Sequence, residues 1–285
     1  MKHKLERLLQ IPPVRFFADI VRIYFSAHIS RSAAQLAYFL IMTFFPILIC
    51  TAAFLSRANL RLTDLLEELR QLLPTGVYAI LRDYLGYLDT NFSNAMLLTG
   101  IFLTIFFAAS AIRGLTSIMC EVYGQPKRRG IRQFAASFFF ALLLLVIVYL
   151  AMIVMLSGSW LFHLMDKIPE LSLAADRFGL WQWLKYLLLL AIVFLFIFLL
   201  YRYVAPIHNP PPPVIPGAVL SSAALGTASG IFSMVVSHSA RYSLIYGSLA
   251  SVIIMLVWLY LCGTILILGN VVNYVLFCRR QRKSV

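Results

Sequence analysis

Six runs of about twenty residues, almost free of charged side chains, divide this 285-residue chain and dictate what it can fold into. They cover 33–55, 95–118, 134–156, 183–204, 217–236 and 248–277. The hydrocarbon core of a bilayer is crossed by about 20 apolar residues in helical form. Backbone polar groups in hydrocarbon must be satisfied within the segment, so each run is expected to be a helix. A membrane β-barrel would instead alternate in segments of about 10 residues, and these runs are continuously apolar. With 61% hydrophobic and only 12% charged residues, too little polar surface remains to cover a water-soluble globule. The expected fold class is all-α and polytopic. A segment over 1–32 precedes one six-helix transmembrane domain over 33–277, and a basic tail over 278–285 follows it.

The basic residues set the orientation. With the N-terminus in the cytoplasm, six spans return the C-terminus there as well. The inside segments then hold fifteen basic and three acidic residues, a balance of +12. The outside segments hold seven basic and eight acidic ones, a balance of −1. Arg113 and Lys185, near span ends, complete the formal net charge of +13. Such an excess faces anionic lipid headgroups, so membrane lipids are the expected partners and nucleic acid is not. The first 32 residues begin their apolar run too late for a cleavable signal peptide. Within them, Val14–Tyr24 mixes apolar and basic positions and reads either as an interfacial amphipathic helix or as a solvated tail.

The longest outside segment is 56–94. Leu62, Leu65, Leu66, Leu69, Leu72 and Leu73 recur there at helical spacing, with Asp64 and Glu67 placed like a capping box. Pro74 and Gly76 end that helix, and Val77–Leu88 starts a second. The pair is expected on the outer side, either as a packed lid or as the cap of a cavity.

Inside the spans, the informative residues are those a lipid-facing helix would not choose. Arg113 is the one charge well within a run, five residues before Ile118 or roughly 7 Å along a helix axis. It can snorkel to the interface or contact an anion. In the first span Gln35 and Tyr38 share a helix face, and Pro46 is expected to bend or break the helix. Such a site is how many transporters hold substrate, although the same face can simply pack against a neighbour. In the fifth span Gly226 and Gly230 form a GxxxG pair suited to close helix packing, which also permits self-association. Asn270, Asn273 and Tyr274 fall on one face near the end of the sixth span. No carboxylate lies in any run, which argues against an acidic proton or sodium relay.

Machinery for bond-breaking chemistry is missing from the sequence. The five histidines are scattered, with no HExxH, P-loop, GxSxG or GxGxxG pattern, and Cys50, Cys120, Cys262 and Cys278 form no CxxC pair. No metal, cofactor or catalytic residue is therefore expected, and the chain is not expected to be an enzyme.

Ala34-Gln35-Leu36-Ala37-Tyr38 followed by Pro46, the Pro206–Pro210 connection, and Tyr246-Gly247-Ser248-Leu249 with Trp258-Leu259-Tyr260 together resemble the YihY/BrkB family of bacterial inner-membrane proteins. The order of these motifs covers about residues 20–278. The resemblance implies six spans with both termini cytoplasmic, and a multi-pass protein of the bacterial cytoplasmic membrane. It also explains why members of the family have carried a ribonuclease label that nothing in these residues supports. The family's late Gly-Ala-Glu motif departs here: Gly269 is followed by Asn270 and Val271, so the acidic position is a valine. The expected function is transport of a lipid or amphipathic anion along a polar groove. The alternative is a non-transporting scaffold that binds lipids or partner proteins.

Overall fold

The computed structural model describes residues 12–57, 82–83, 86, 93–125, 130–156, 180–205, 211–238 and 249–283. The described residues form seven α-helices and no strand. In chain order these are α1 (Pro12–Ser26), α2 (Ile29–Arg57), α3 (Asn94–Val122), α4 (Ile131–Leu156), α5 (Leu180–Val204), α6 (Ile215–His238) and α7 (Leu249–Lys283). Six of them, α2 to α7, are long and apolar enough to cross a membrane. The chain is thus an all-α polytopic membrane protein. The expected outer helices over 62–73 and 77–88 fall almost wholly outside the described residues.

Local sequence explains where the helices begin and end. Ser93 caps α3, its Oγ accepting the Met96 N–H at 3.2 Å. At the other end Gly124 adopts φ +65°. There the Gly124 N–H donates to the Glu121 carbonyl (2.9 Å) and the Gln125 N–H to the Cys120 carbonyl (3.0 Å). That double bond around a left-handed glycine is the Schellman ending, and it stops the helix. Pro46 does not interrupt α2, which stays helical from Ile29 to Arg57. Hydroxyls within the spans, such as Thr43, Thr51 and Thr104, donate to the carbonyl four residues earlier and so need no partner from lipid.

The spans form a ring. Each packs on its neighbour in sequence, and α7 closes the circle against α2. Helix α3 also touches α5 and α7 across the ring. Helix α1 lies against α7 and α2, with Arg279 3.8 Å from Asp19 and 5.0 Å from the Phe16 ring centroid. Because both described chain ends gather here, this is called the terminal end. The ring interior at this end is filled by Leu36 of α2, Met119 of α3, Leu200 and Tyr201 of α5, and Ile267 and Val271 of α7.

Among the described glycines, the tightest contacts fall where α6 crosses α7. A Cβ at Gly269 would collide with Ser221 Oγ and lie 2.5 Å from the Tyr201 hydroxyl. A Cβ at Gly217 would collide with the Gly269 carbonyl. Gly226 and Gly230 are exposed; a Cβ at Gly226 would meet only Leu190, and one at Gly230 would meet nothing within 4 Å. Within the chain, then, the small-residue crossing is Gly217–Gly269 and the GxxxG face is turned outward. Gly269→Ala is expected to destabilise the fold by about 1–3 kcal/mol, the usual cost of overpacking. Gly230→Ala is expected to change stability by no more than about 0.5 kcal/mol. Thermal unfolding of the two variants in the same detergent separates them.

Candidate functional site

Every third or fourth residue along the second half of α3 is polar or small: Ser110, Arg113, Gly114, Ser117 and Glu121. They share one helix face. The core-facing residues Ala111, Ile112, Leu115, Met119 and Val122 form another, roughly 140° away at about 100° per residue. Ser32, Gln35 and Phe39 of α2 and Gln133 of α4 converge on the polar face, and together these residues line a cavity of about 440 Å³. Helices α2 and α4 both pack on α3, yet make no extensive contact with each other among the described residues. The cavity therefore lies on the outer wall of the ring near its terminal end, floored by α3 between α2 and α4.

Arg113 is half-buried in this cavity. Its Nη2 donates to Ser110 Oγ at 2.8 Å, and its guanidinium carbon lies 5.9 Å from the centroid of Phe134 on α4. Ser110 sits one turn nearer the middle of the span. The side chain thus leans toward the helix N-terminus, as helix geometry favours, and does not reach for the Val122 end as snorkelling would require. Ser110 passes its own proton to the Phe106 carbonyl at 2.8 Å, so its oxygen is oriented to accept from Arg113. A guanidinium has five N–H donors. With one spent on Ser110, it remains equipped to bind an anion bidentately. Gly114 leaves open the space beside it: a Cβ there would find only the Gln35 amide, at 3.9 Å.

Among the residues singled out from sequence, Gln35 and Arg113 line this cavity, and Tyr38, Pro46, Asn270, Asn273 and Tyr274 do not. Tyr38 is 53% exposed one turn further on, its ring edge-on to Phe39. Pro46 is buried, its carbonyl facing Gly100 of α3. Asn270 and Asn273 have no exposed surface. Asn270 Nδ2 donates to the Met119 carbonyl at 3.3 Å, which ties α7 to α3, while its Oδ1 is buried with no hydrogen-bond partner. Asn273 Oδ1 accepts the Gly217 N–H at 2.7 Å, and its Nδ2 donates to the Val214 carbonyl at 3.2 Å. It thereby satisfies the open N-terminus of α6 from a neighbouring helix. Tyr274 packs edge-on against Tyr123, 5.4 Å between centroids. Burial raises the Tyr123 hydroxyl well above its ordinary pKa, which keeps that contact neutral.

Ser32, Ser110, Ser117 and Gln133 belong to the cavity without having been singled out as site residues. The signal for the α3 pair was available, since Ser110 and Ser117 stand three and four residues from Arg113 on its own face. No such spacing links Gln133 or Ser32 to it. Among the described residues no three of His, Cys, Asp and Glu gather to hold a metal ion.

A ring of six membrane helices with a cation-bearing polar cavity in its outer wall defines a class of polytopic membrane protein. The virulence factor BrkB family model matches residues 20–284, and the chain belongs to that family. It is similar to the ribonuclease-like protein YfkH of Bacillus subtilis (strain 168), with 25% identity over 252 residues, covering 87% of this chain and 90% of that one. No solved structure matches it.

The arrangement separates residues that hold the fold from residues available for binding. Asn273→Ala strands the Gly217 N–H and the Val214 carbonyl and is expected to cost about 2–4 kcal/mol. Arg113→Ala removes a half-buried wall residue and is expected to cost less than about 1 kcal/mol. Melting temperatures of the two purified variants test this contrast.

Proposed function

We propose that this protein moves a lipid or amphipathic anion across the bacterial cytoplasmic membrane, with the polar head passing along the outer wall of α2, α3 and α4. The observation that carries this reading is the position of Arg113: a cation held one turn toward the middle of its span, in a cavity on the face of α3 turned away from the ring interior. A buried or half-buried charge in a membrane helix is costly and marks a functional path by default. Above the cavity the same helix faces turn apolar, with Met42 exposed on α2 and the stacked rings of Phe102 and Phe106 exposed on α3. A head in the cavity would leave its chains against that surface.

The charge pattern supports a terminal end facing the cytoplasm and its anionic lipid. Helix α1 fits such a surface, with Val14, Phe17, Val21 and Phe25 exposed in one stripe and Arg15 and Arg22 exposed beside it. In this reading the protein has no catalytic step and no cofactor. A lipid-binding scaffold is the second reading, favoured by the close-packed interior of the terminal half.

Reconstitution into liposomes with head-labelled lipid, followed by quenching of the outer leaflet, tests the proposal. Wild-type protein should exchange label between leaflets. Arg113→Ala and Gln35→Ala should each slow exchange by about tenfold or more, with equal amounts of folded protein incorporated. Exchange no faster than in protein-free liposomes would favour the scaffold. Unaltered exchange in both variants would remove the outer wall as the path.

A further inference from the structure

The cavity carries one guanidinium and one carboxylate, and they stand apart. Arg113 and Glu121 are eight residues from each other on α3, about 12 Å along its axis. Between and around them the lining is neutral and two-way in hydrogen bonding: Ser32, Gln35, Ser117 and Gln133 each both donate and accept. Gly114 keeps a gap open in the floor between the two charges.

We infer that this cavity takes a singly charged phosphodiester lipid with a hydroxylated headgroup, its phosphate at Arg113 and Ser110 and its hydroxyls among Ser117, Ser32 and Gln133. This rests on reading the cavity as a lipid site. Three features of the lining select that chemistry. The spare donors of Arg113 match the paired oxygens of a phosphodiester. Hydroxyls both give and take hydrogen bonds, as serine and glutamine side chains do, whereas an ammonium head needs acceptors alone. The one carboxylate of the lining, Glu121, stands about 12 Å along the helix axis from Arg113, beyond the reach of an ethanolamine ammonium whose phosphate sits at Arg113. Lastly, the lining offers one guanidinium, Arg113, which matches the single charge of a phosphodiester and not the second charge of a phosphomonoester or of a lipid with two phosphates. The orientation is fixed by the apolar surface at Phe102, Phe106 and Met42, which places chains toward the middle of the bilayer and the head toward the terminal end.

The test is native mass spectrometry of the full chain in phosphatidylcholine nanodiscs doped equally with phosphatidylglycerol, phosphatidylethanolamine and phosphatidic acid. Phosphatidylglycerol should be retained about tenfold or more over the other two dopants, as expected of a charge-assisted contact. Arg113→Ala should abolish that preference. So should Gly114→Leu, whose side chain starts where a Cβ would meet only the Gln35 amide, with thermal unfolding used to show that the variant is folded. Equal retention of the three lipids, or a preference untouched by both Arg113→Ala and Gly114→Leu, overturns the inference. Displacement of the lipid by glycerophosphoglycerol, the same head without chains, reassigns the cavity to a soluble phosphodiester and overturns the lipid part. Head selectivity without leaflet exchange leaves this inference standing and removes the transport proposal; exchange without selectivity does the reverse.

Discussion

The ring depends on how the open end of α6 is satisfied. A helix that starts inside a bundle carries N–H groups with no partner in its own backbone, and leaving one buried and unpaired costs about 1–3 kcal/mol. Here the chain enters α6 from an extended stretch over 211–214, and Asn273 of α7 supplies both an acceptor for Gly217 and a donor for Val214. One side chain can do this only if the two backbones nearly touch. That explains why glycine occupies both Gly217 and Gly269, and why Tyr201 reaches into the same crossing to donate to the Leu266 carbonyl at 2.6 Å. Once α7 is fixed on α6, its other faces complete the closure. Gly263 lets it settle on Ala33 and Leu36 of α2, and Asn270 ties it to α3.

The spans were legible because their signal is local: an uninterrupted apolar run needs no knowledge of its neighbours. Arg113 was legible for a similar reason, as a charge in the one environment that penalises it. The roles of the asparagines were not. Spacing put Asn270 and Asn273 on one face of the last span, yet nothing local says that the end of another helix, more than fifty residues earlier, lies opposite. The glycines teach the same lesson. Gly226 and Gly230 form a pattern within one helix and drew the eye, whereas Gly217 and Gly269 become a pair only when two helices cross. Snorkelling, too, was open until the Ser110 hydroxyl showed which way the Arg113 guanidinium is held.

The packing of the interior bears on where a substrate can travel. At the terminal end the axis of the ring is occupied by Leu200, Tyr201, Ile267 and Val271, all fully or almost fully buried. A central path would have to part these residues and break the α6–α7 crossing that closes the ring. The outer wall imposes no such demand. The hydrogen bonds at Ser110 and Arg113 are internal to α3, so a headgroup meeting them leaves the α6–α7 crossing intact. For an amphipathic cargo this route also spares the cost of taking chains out of lipid, which at about 0.8 kcal/mol per CH₂ would be prohibitive for a diacyl lipid in a polar pore.

The same geometry constrains how such movement could be driven. Val271, at the position where the family resemblance implies an acid, is fully buried in the apolar core. None of the six apolar runs contains Asp or Glu, and Glu121 lies three residues past the end of its run, at the cavity mouth. A proton or sodium pump needs a carboxylate or equivalent group that titrates or binds within the membrane and changes access as the substrate moves. In the proposed path the charge offered to the headgroup is that of Arg113, held by Ser110 in the cavity wall.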